Sequence, residues 1–223
     1  MTRVGSPPHF ENGVPCWESG RGDWRLRFYG RGAAPRAEGL TPRRPRAWLK
    51  QVHGAEVVAA RAGECGTGDA LLLGDAAVAA TVATADCLPV ALLGGRGAAL
   101  VHAGWRGLVA GVLDCALERL GDPATEVAAR IGPAIGPCCY EVGEAVAGAI
   151  QDSCGGSAIA VVHRLEDVLH VDLIGAARAQ LAAAGVADVA VVDRCTRCNP
   201  QWLWSHRADG AGAGRNWTVL WRD

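Results

Sequence analysis

Three side chains able to hold a metal each close an apolar run and stand before a tight turn. They are His53 in Lys50-Gln51-Val52-His53-Gly54, Cys87 in Thr84-Ala85-Asp86-Cys87-Leu88-Pro89, and His102 in Val101-His102-Ala103-Gly104-Trp105-Arg106-Gly107. Two imidazoles and a thiolate form a set that binds a catalytic Zn²⁺ and leaves its fourth position open to water or substrate, whereas a closed structural site wants a fourth protein ligand. The expectation is one zinc per chain. The spacing fits no compact local motif, so the fold must bring the three together. Asp86 stands beside Cys87, where it could orient a ligand from behind. Arg106 lies four residues past His102 and is a candidate for a substrate anion. The bland alternatives are a His102 satisfied by a backbone carbonyl and a Cys87 acting as a small buried hydrophobe.

Other groups point less directly to chemistry. Cys195-Thr196-Arg197-Cys198 has ribbon spacing, but a ribbon needs a second separated pair, and the adjacent Cys138-Cys139 look ill-suited to grip one ion. Cys195 and Cys198 are therefore expected to be neither metal ligands nor a required disulfide. Ser205-His206-Arg207 with Asp209 resembles fragments of a triad but lacks a nucleophile elbow. The run Gly210–Gly214 lacks a P-loop ending, although its glycines admit a ligand close to the backbone, with Arg215 as an anion clamp.

The elements that must position these residues read as α/β or α+β: a mixed β-sheet core flanked by helices. Apolar runs between turn signals predict strands near Ala47–Val52, Glu56–Ala60, Ala70–Leu73, Ala76–Thr84, Pro89–Leu93, Ala98–His102, Val127–Ile131, Ile159–Val162, Val186–Val192 and Trp217–Trp221. The period changes over Leu108–Leu120 to that of a helix, putting His102 at a strand-to-helix junction where amides favour anions. Glu141–Ile150 reads as a second helix, and a third is capped by Asp172 and stopped by Gly185. Residues 1–46 read as an irregular segment, and Pro42-Arg43-Arg44-Pro45-Arg46 as a solvated connector. The whole chain, 1–223, reads as one domain.

With 22 Lys+Arg against 23 Asp+Glu, nothing in the overall charge favours nucleic acid or a membrane surface. Small-molecule substrates are expected instead. Neither a leader nor a long apolar span is evident, so the expected setting is the cytoplasm. Nine cysteines, an odd number scattered through a long chain, read as reduced thiols. A homodimer is the default expectation for assembly.

Five blocks, in order, carry a family resemblance: the three that hold His53, Cys87 and His102, the stretch Ile131–Val142, and the segment from Cys195-Thr196 through Ser205-His206-Arg207 to Gly214-Arg215. Together they resemble the YfiH family, also called the laccase-domain or multicopper polyphenol oxidoreductase family and described as purine nucleoside phosphorylases. The resemblance runs from about residue 47 to the end. It implies a fold shared with toxin-type cysteine hydrolases and a zinc on the residues matching His53, Cys87 and His102. It also implies phosphorolysis of adenosine, inosine and methylthioadenosine, and hydrolytic deamination of adenosine. The N-terminal part departs from the family pattern, being shorter, with Phe28-Tyr29-Gly30-Arg31-Gly32 a remnant of a glycine-rich turn. Six histidines are too few for a multicopper oxidase, so laccase chemistry is not expected.

The function expected is thus a zinc-dependent purine nucleoside enzyme in which His53, Cys87 and His102 are both ligands and catalytic centre, and Arg106 and Arg215 hold phosphate. Two alternatives stay open: a cysteine hydrolase with Cys87 as nucleophile and His102 as base, and a non-enzymatic envelope or regulatory module whose metal is structural.

Overall fold

The computed structural model describes residues 7–40, 44–74, 77–155 and 161–223. Part of the connector Pro42–Arg46, the first residue of the strand expected over Ala76–Thr84 and the start of that expected over Ile159–Val162 lie outside these.

The N-terminal segment is not irregular. It supplies β1 (His9–Glu11), β2 (Val14–Arg21) and β3 (Trp24–Tyr29), three antiparallel strands. Asn12 and Gly13, both at positive φ (51° and 79°), make the two-residue turn between β1 and β2, which is the backbone a type I′ hairpin demands. In β3 the arginines interrupt the apolar run with a period of two, so Trp24, Leu26 and Phe28 are buried while Arg25 points outward.

There follow β4 (Arg46–Lys50), β5 (Val57–Ala59), β6 (Gly63–Thr67), β7 (Ala70–Leu73), β8 (Ala79–Thr84), β9 (Leu88–Leu93) and β10 (Ala98–Ala103). Next come the helices α1 (Trp105–Val109) and α2 (Val112–Leu120), strands β11 (Ala128–Ile131) and β12 (Glu141–Val142), and α3 (Glu144–Ser153). The chain continues through β13 (Val162–Leu165), β14 (Val168–Val171), α4 (Leu173–Ala183), β15 (Asp188–Val191), the short α5 (His206–Asp209) and β16 (Asn216–Arg222). One helix was expected over Leu108–Leu120; Gly111, at φ 77°, breaks it in two. Glu141 and Val142 pair with β14 rather than opening α3, which starts after Gly143. Asp172 caps α4 as expected, accepting from Gly175 N at 2.9 Å.

A seven-stranded sheet (β1-β2-β3-β16-β8-β4-β6) faces a six-stranded sheet (β15-β11-β9-β10-β7-β5), and β12-β14-β13 form a small third sheet. The six-stranded sheet is the middle layer. On β9, Leu88, Val90 and Leu92 join the helices' Leu113, Ala116 and Leu181, while Ala91 and Leu93 join Leu26, Val82 and Leu220 of the other sheet. That two-sided burial is why β9 and β10 are apolar, His102 alone excepted. It is a mixed α/β architecture, as the sequence implied.

Candidate metal centre and active-site cavity

The two sheets bring the three expected donors together. His53 follows β4, Cys87 precedes β9 and His102 sits near the end of β10, and their ligand atoms lie within 4.8 Å of one another. The imidazole rings of His53 and His102 meet edge to face, 4.8 Å between centroids. Gly104 closes one side: a Cβ there would meet Cys87 Sγ and His53 Cδ2, each at 3.0 Å. Only glycine leaves the donors their place.

Asp69, at the head of β7 and fully buried, aligns two of the three donor-bearing segments. Its Oδ1 lies 2.8 Å from His102 Nδ1. Its carboxylate also accepts from the amides of Val52 (3.2 Å), His53 (2.9 Å) and Gly54 (2.7 Å). These three successive N–H groups form a cradle for the anion, and they hold His53 in the left-handed region at φ 62°. With Nδ1 engaged, Nε2 is the nitrogen His102 has free for a metal.

The charges follow from this geometry. Burial disfavours the Cys87 thiolate, but hydrogen bonding to His102 and His53 outweighs it and brings the thiol down to about 7. Burial likewise opposes the His102 imidazolium, yet Asp69 and Cys87 carry it up to about 9. Asp69 is held below the usual carboxylate range, its burial outweighed by His102 and the three amides. Two imidazoles, a sulfur readily ionised and a carboxylate behind the buried histidine suit a zinc-like ion and leave one position open.

Asp86 does not take the orienting role expected of it. Its Oδ1 accepts from Thr196 Oγ1 at 2.5 Å and its Oδ2 from Arg207 N at 2.7 Å, while its carbonyl accepts from Ile135 N at 2.9 Å. These three contacts hold it at φ 95°, a region L-residues avoid. The role belongs to Asp69, which sequence reading missed. The available signal was a lone acid, in Thr67-Gly68-Asp69, opening the buried run Ala70–Leu73, since a carboxylate at the mouth of a buried strand needs partners.

A cavity of about 480 Å³ opens on the donors, a size common for small-molecule sites. Tyr140, His206, Arg207 and Arg215 also line it. Burial, chiefly, pushes the Tyr140 phenol up to about 12, keeping it a neutral donor. Arg207 lies 5.1 Å over the Tyr140 ring and donates to Glu141 O at 2.9 Å; sequence reading had not singled it out as an anion ligand. Arg215 is exposed and donates to the carbonyls of Ala213 and Gly214, each at 2.9 Å. Arg106 is exposed, stacks 4.7 Å over Trp105, and is not among the lining residues. Gln51 lines the wall and pairs with both backbone groups of Ala83, at 2.8 and 2.9 Å. Ser205 is no nucleophile of a triad: its Oγ accepts from Ala208 N as a helix cap, and Asp209 pairs with Arg31.

The premise behind the expectation for Cys195 and Cys198, that no second pair stands close enough to complete a donor set, does not hold in space. Their sulfurs and those of Cys138 and Cys139 all lie within 4.8 Å of one another. Adjacent cysteines converge because they sit in a turn, where Cys139 N and Tyr140 N both bond Gly136 O at 3.0 Å. Successive side chains on such a helical turn diverge by about 100° rather than alternating as on a strand.

A sheet-rich α/β domain with a His/Cys/His donor set able to hold a metal, backed by a buried carboxylate and facing a cavity, defines a class of proteins. Comparison with known proteins places the chain within that class. Residues 31–223 match the family described as multi-copper polyphenol oxidoreductase laccase, and the chain belongs to that family, which includes the YfiH proteins. It is 35% identical over 189 residues to the purine nucleoside phosphorylase YfiH of Escherichia coli, spanning 83% of this chain and 76% of that one. It is 34% identical over 162 residues to the adenosine deaminase RL5 of an unknown prokaryotic organism, spanning 69% of this chain and 62% of that one. A Neisseria meningitidis crystal structure superposes with a TM-score of 0.80 at 29% identity, covering 93% of this chain and 99% of that one.

Proposed function

We propose that this chain is a cytoplasmic, zinc-dependent purine nucleoside enzyme. In this reading it splits adenosine, inosine and methylthioadenosine with phosphate and deaminates adenosine to inosine. The observation that carries the reading is the convergence of His53, Cys87 and His102 on a cavity that Arg207 and Arg215 also line. The names of the relatives support the substrate class.

When bound, zinc supplies Lewis acidity and brings water close to ionisation at neutral pH. The protein's own residues supply the rest. Asp69 fixes the His102 tautomer and, through the amides of residues 52–54, the position of His53. Tyr140, neutral and half-buried, is a donor for a substrate heteroatom. Arg207 and Arg215 hold phosphate so that one of its oxygens attacks C1′ as the bond from C1′ to the base breaks, the departing base taking up a proton. Forked guanidinium contacts suit that dianion. Arg106 extends the same positive edge, since its charge, like that of Arg207, reaches Tyr140.

One observation favours a second reading: Cys87, His102 and Asp69 also line up as nucleophile, base and orienting acid. Such a hydrolase has no use for His53, whereas a metal site does. The test is product analysis of adenosine incubated with purified protein, with and without phosphate. Inosine in both, with adenine and ribose 1-phosphate only when phosphate is present, is expected. No nucleoside turnover by metal-replete protein, together with alkylation of Cys87 unaffected by His53→Ala, overturns the proposal in favour of the hydrolase.

A further inference from the structure

We propose that Cys138, Cys139, Cys195 and Cys198 bind a second, structural zinc ion, closed by four thiolates. The donor atoms are already gathered: Cys198 Sγ lies 3.6 Å from Cys138 Sγ and 3.4 Å from Cys139 Sγ, and all four sulfurs fall within 4.8 Å. A tetrahedral ion with zinc–sulfur bonds of about 2.3 Å sets its sulfurs about 3.8 Å apart. The observed separations are near that value and far above the ~2.05 Å of a disulfide. A disulfide would also use Cys198 with one partner only, whereas Cys198 stands close to both adjacent cysteines.

Backbone geometry favours sulfur anions here. The Gly136 amide donates to Cys195 Sγ at 3.3 Å, and the Cys198 amide bonds the same sulfur across the Cys195-Thr196-Arg197-Cys198 turn. Four thiols gathered this closely suit a divalent cation, which displaces their protons on binding. Zinc accepts four sulfurs in this geometry without redox chemistry.

The place of the cluster gives it a task. Its two turns are joined by Thr196 N to Ala134 O (3.0 Å) and Ala134 N to Arg194 O (3.2 Å). Thr196 also donates to Asp86, the residue before Cys87. An ion clasping the turns would fix the segment that sets Cys87 against His53 and His102.

The experiment is metal analysis and native mass spectrometry of full-length protein purified with reductant and without chelator. Two zinc ions per chain are expected in the wild type, one in Cys195→Ser/Cys198→Ser, and one in Cys87→Ala/His102→Ala. Should a cysteine variant not fold, thiol modification of the wild type decides: mercurial titration should release two zinc ions per chain, one of them in step with the thiols of this cluster. A wild type holding a single zinc that disappears in Cys87→Ala/His102→Ala overturns the second site. So does a disulfide between any two of the four cysteines in freshly isolated protein. Failure of the nucleoside assay would leave these counts unchanged, so the two proposals fall separately.

Discussion

His53, Cys87 and His102 stand at or beside strand ends, the two histidines aligned by a buried carboxylate, whereas Cys138, Cys139, Cys195 and Cys198 hang from two turns, where backbone amides bond the Cys195 sulfur. The first set has three donors and faces a cavity; the second has four donors, its Cys138 and Cys198 exposed. An open coordination position needs rigid support, because a metal held by three ligands relies on the protein to keep the fourth direction clear. Gly104 supports that arrangement by leaving Cys87 and His53 room to stand close together. A four-thiolate site needs no such frame, since the ion itself completes the geometry. The same fold thus offers one site suited to chemistry and one suited to holding two turns together.

The comparison breaks first at Asp69, which has no counterpart among the four cysteines. Asp69→Asn should weaken zinc binding at the open site about 10–100-fold, read by competition with a chromophoric chelator. It should also destabilise the chelated protein by roughly 3–5 kcal/mol, because His102 and three amides lose a buried anion; urea denaturation reads this. Zinc at the cysteine cluster should be unaffected.

A smaller effect separates the arginines from the metal. Replacing Arg215 by Lys keeps the charge but removes the fork, so ribose 1-phosphate formation should fall about 10–100-fold. Inosine formation from adenosine should change little. Arg106→Lys should show the same bias more weakly, because Arg106 lies outside the cavity lining. Equal losses in both assays, with a matching fall in Tm, would mean that either arginine only pins its turn.

The smallest effect sharpens the electrostatics. In protein without metal, His102 carries its proton up to about pH 9 while Cys87 has lost its own above about 7. Metal binding between these values must expel the His102 proton, so the open site should release about one proton more per ion there than above pH 9, its affinity rising with pH across the window. Titration calorimetry in buffers of different ionisation enthalpy counts the protons, using Cys195→Ser/Cys198→Ser so that only the open site is filled.

Much of this was legible in the sequence where burial dictates composition. β9 and the rest of β10 are apolar because both faces are covered, and that made Cys87 and His102 stand out at their ends. The hairpin of β1 and β2 was signalled by Asn12-Gly13 yet obscured by the arginines that alternate along the neighbouring strand. Asp69 was hidden because its partners, His102 and the amides of residues 52–54, are distant in the chain or carry no side-chain signature. The cysteine cluster was hidden because the local turn after Gly136, rather than residue spacing, decides whether Cys138 and Cys139 diverge or converge.

The central claim, that the open three-donor site is where nucleosides react, is tested most directly by adenosine turnover of Cys87→Ala beside wild type at equal concentrations of folded protein. Removing the thiolate should strip zinc from the open site and lower both deamination and phosphorolysis by on the order of a thousandfold or more, while the fold persists by circular dichroism. A folded Cys87→Ala protein that still converts adenosine at near the wild-type rate would contradict it.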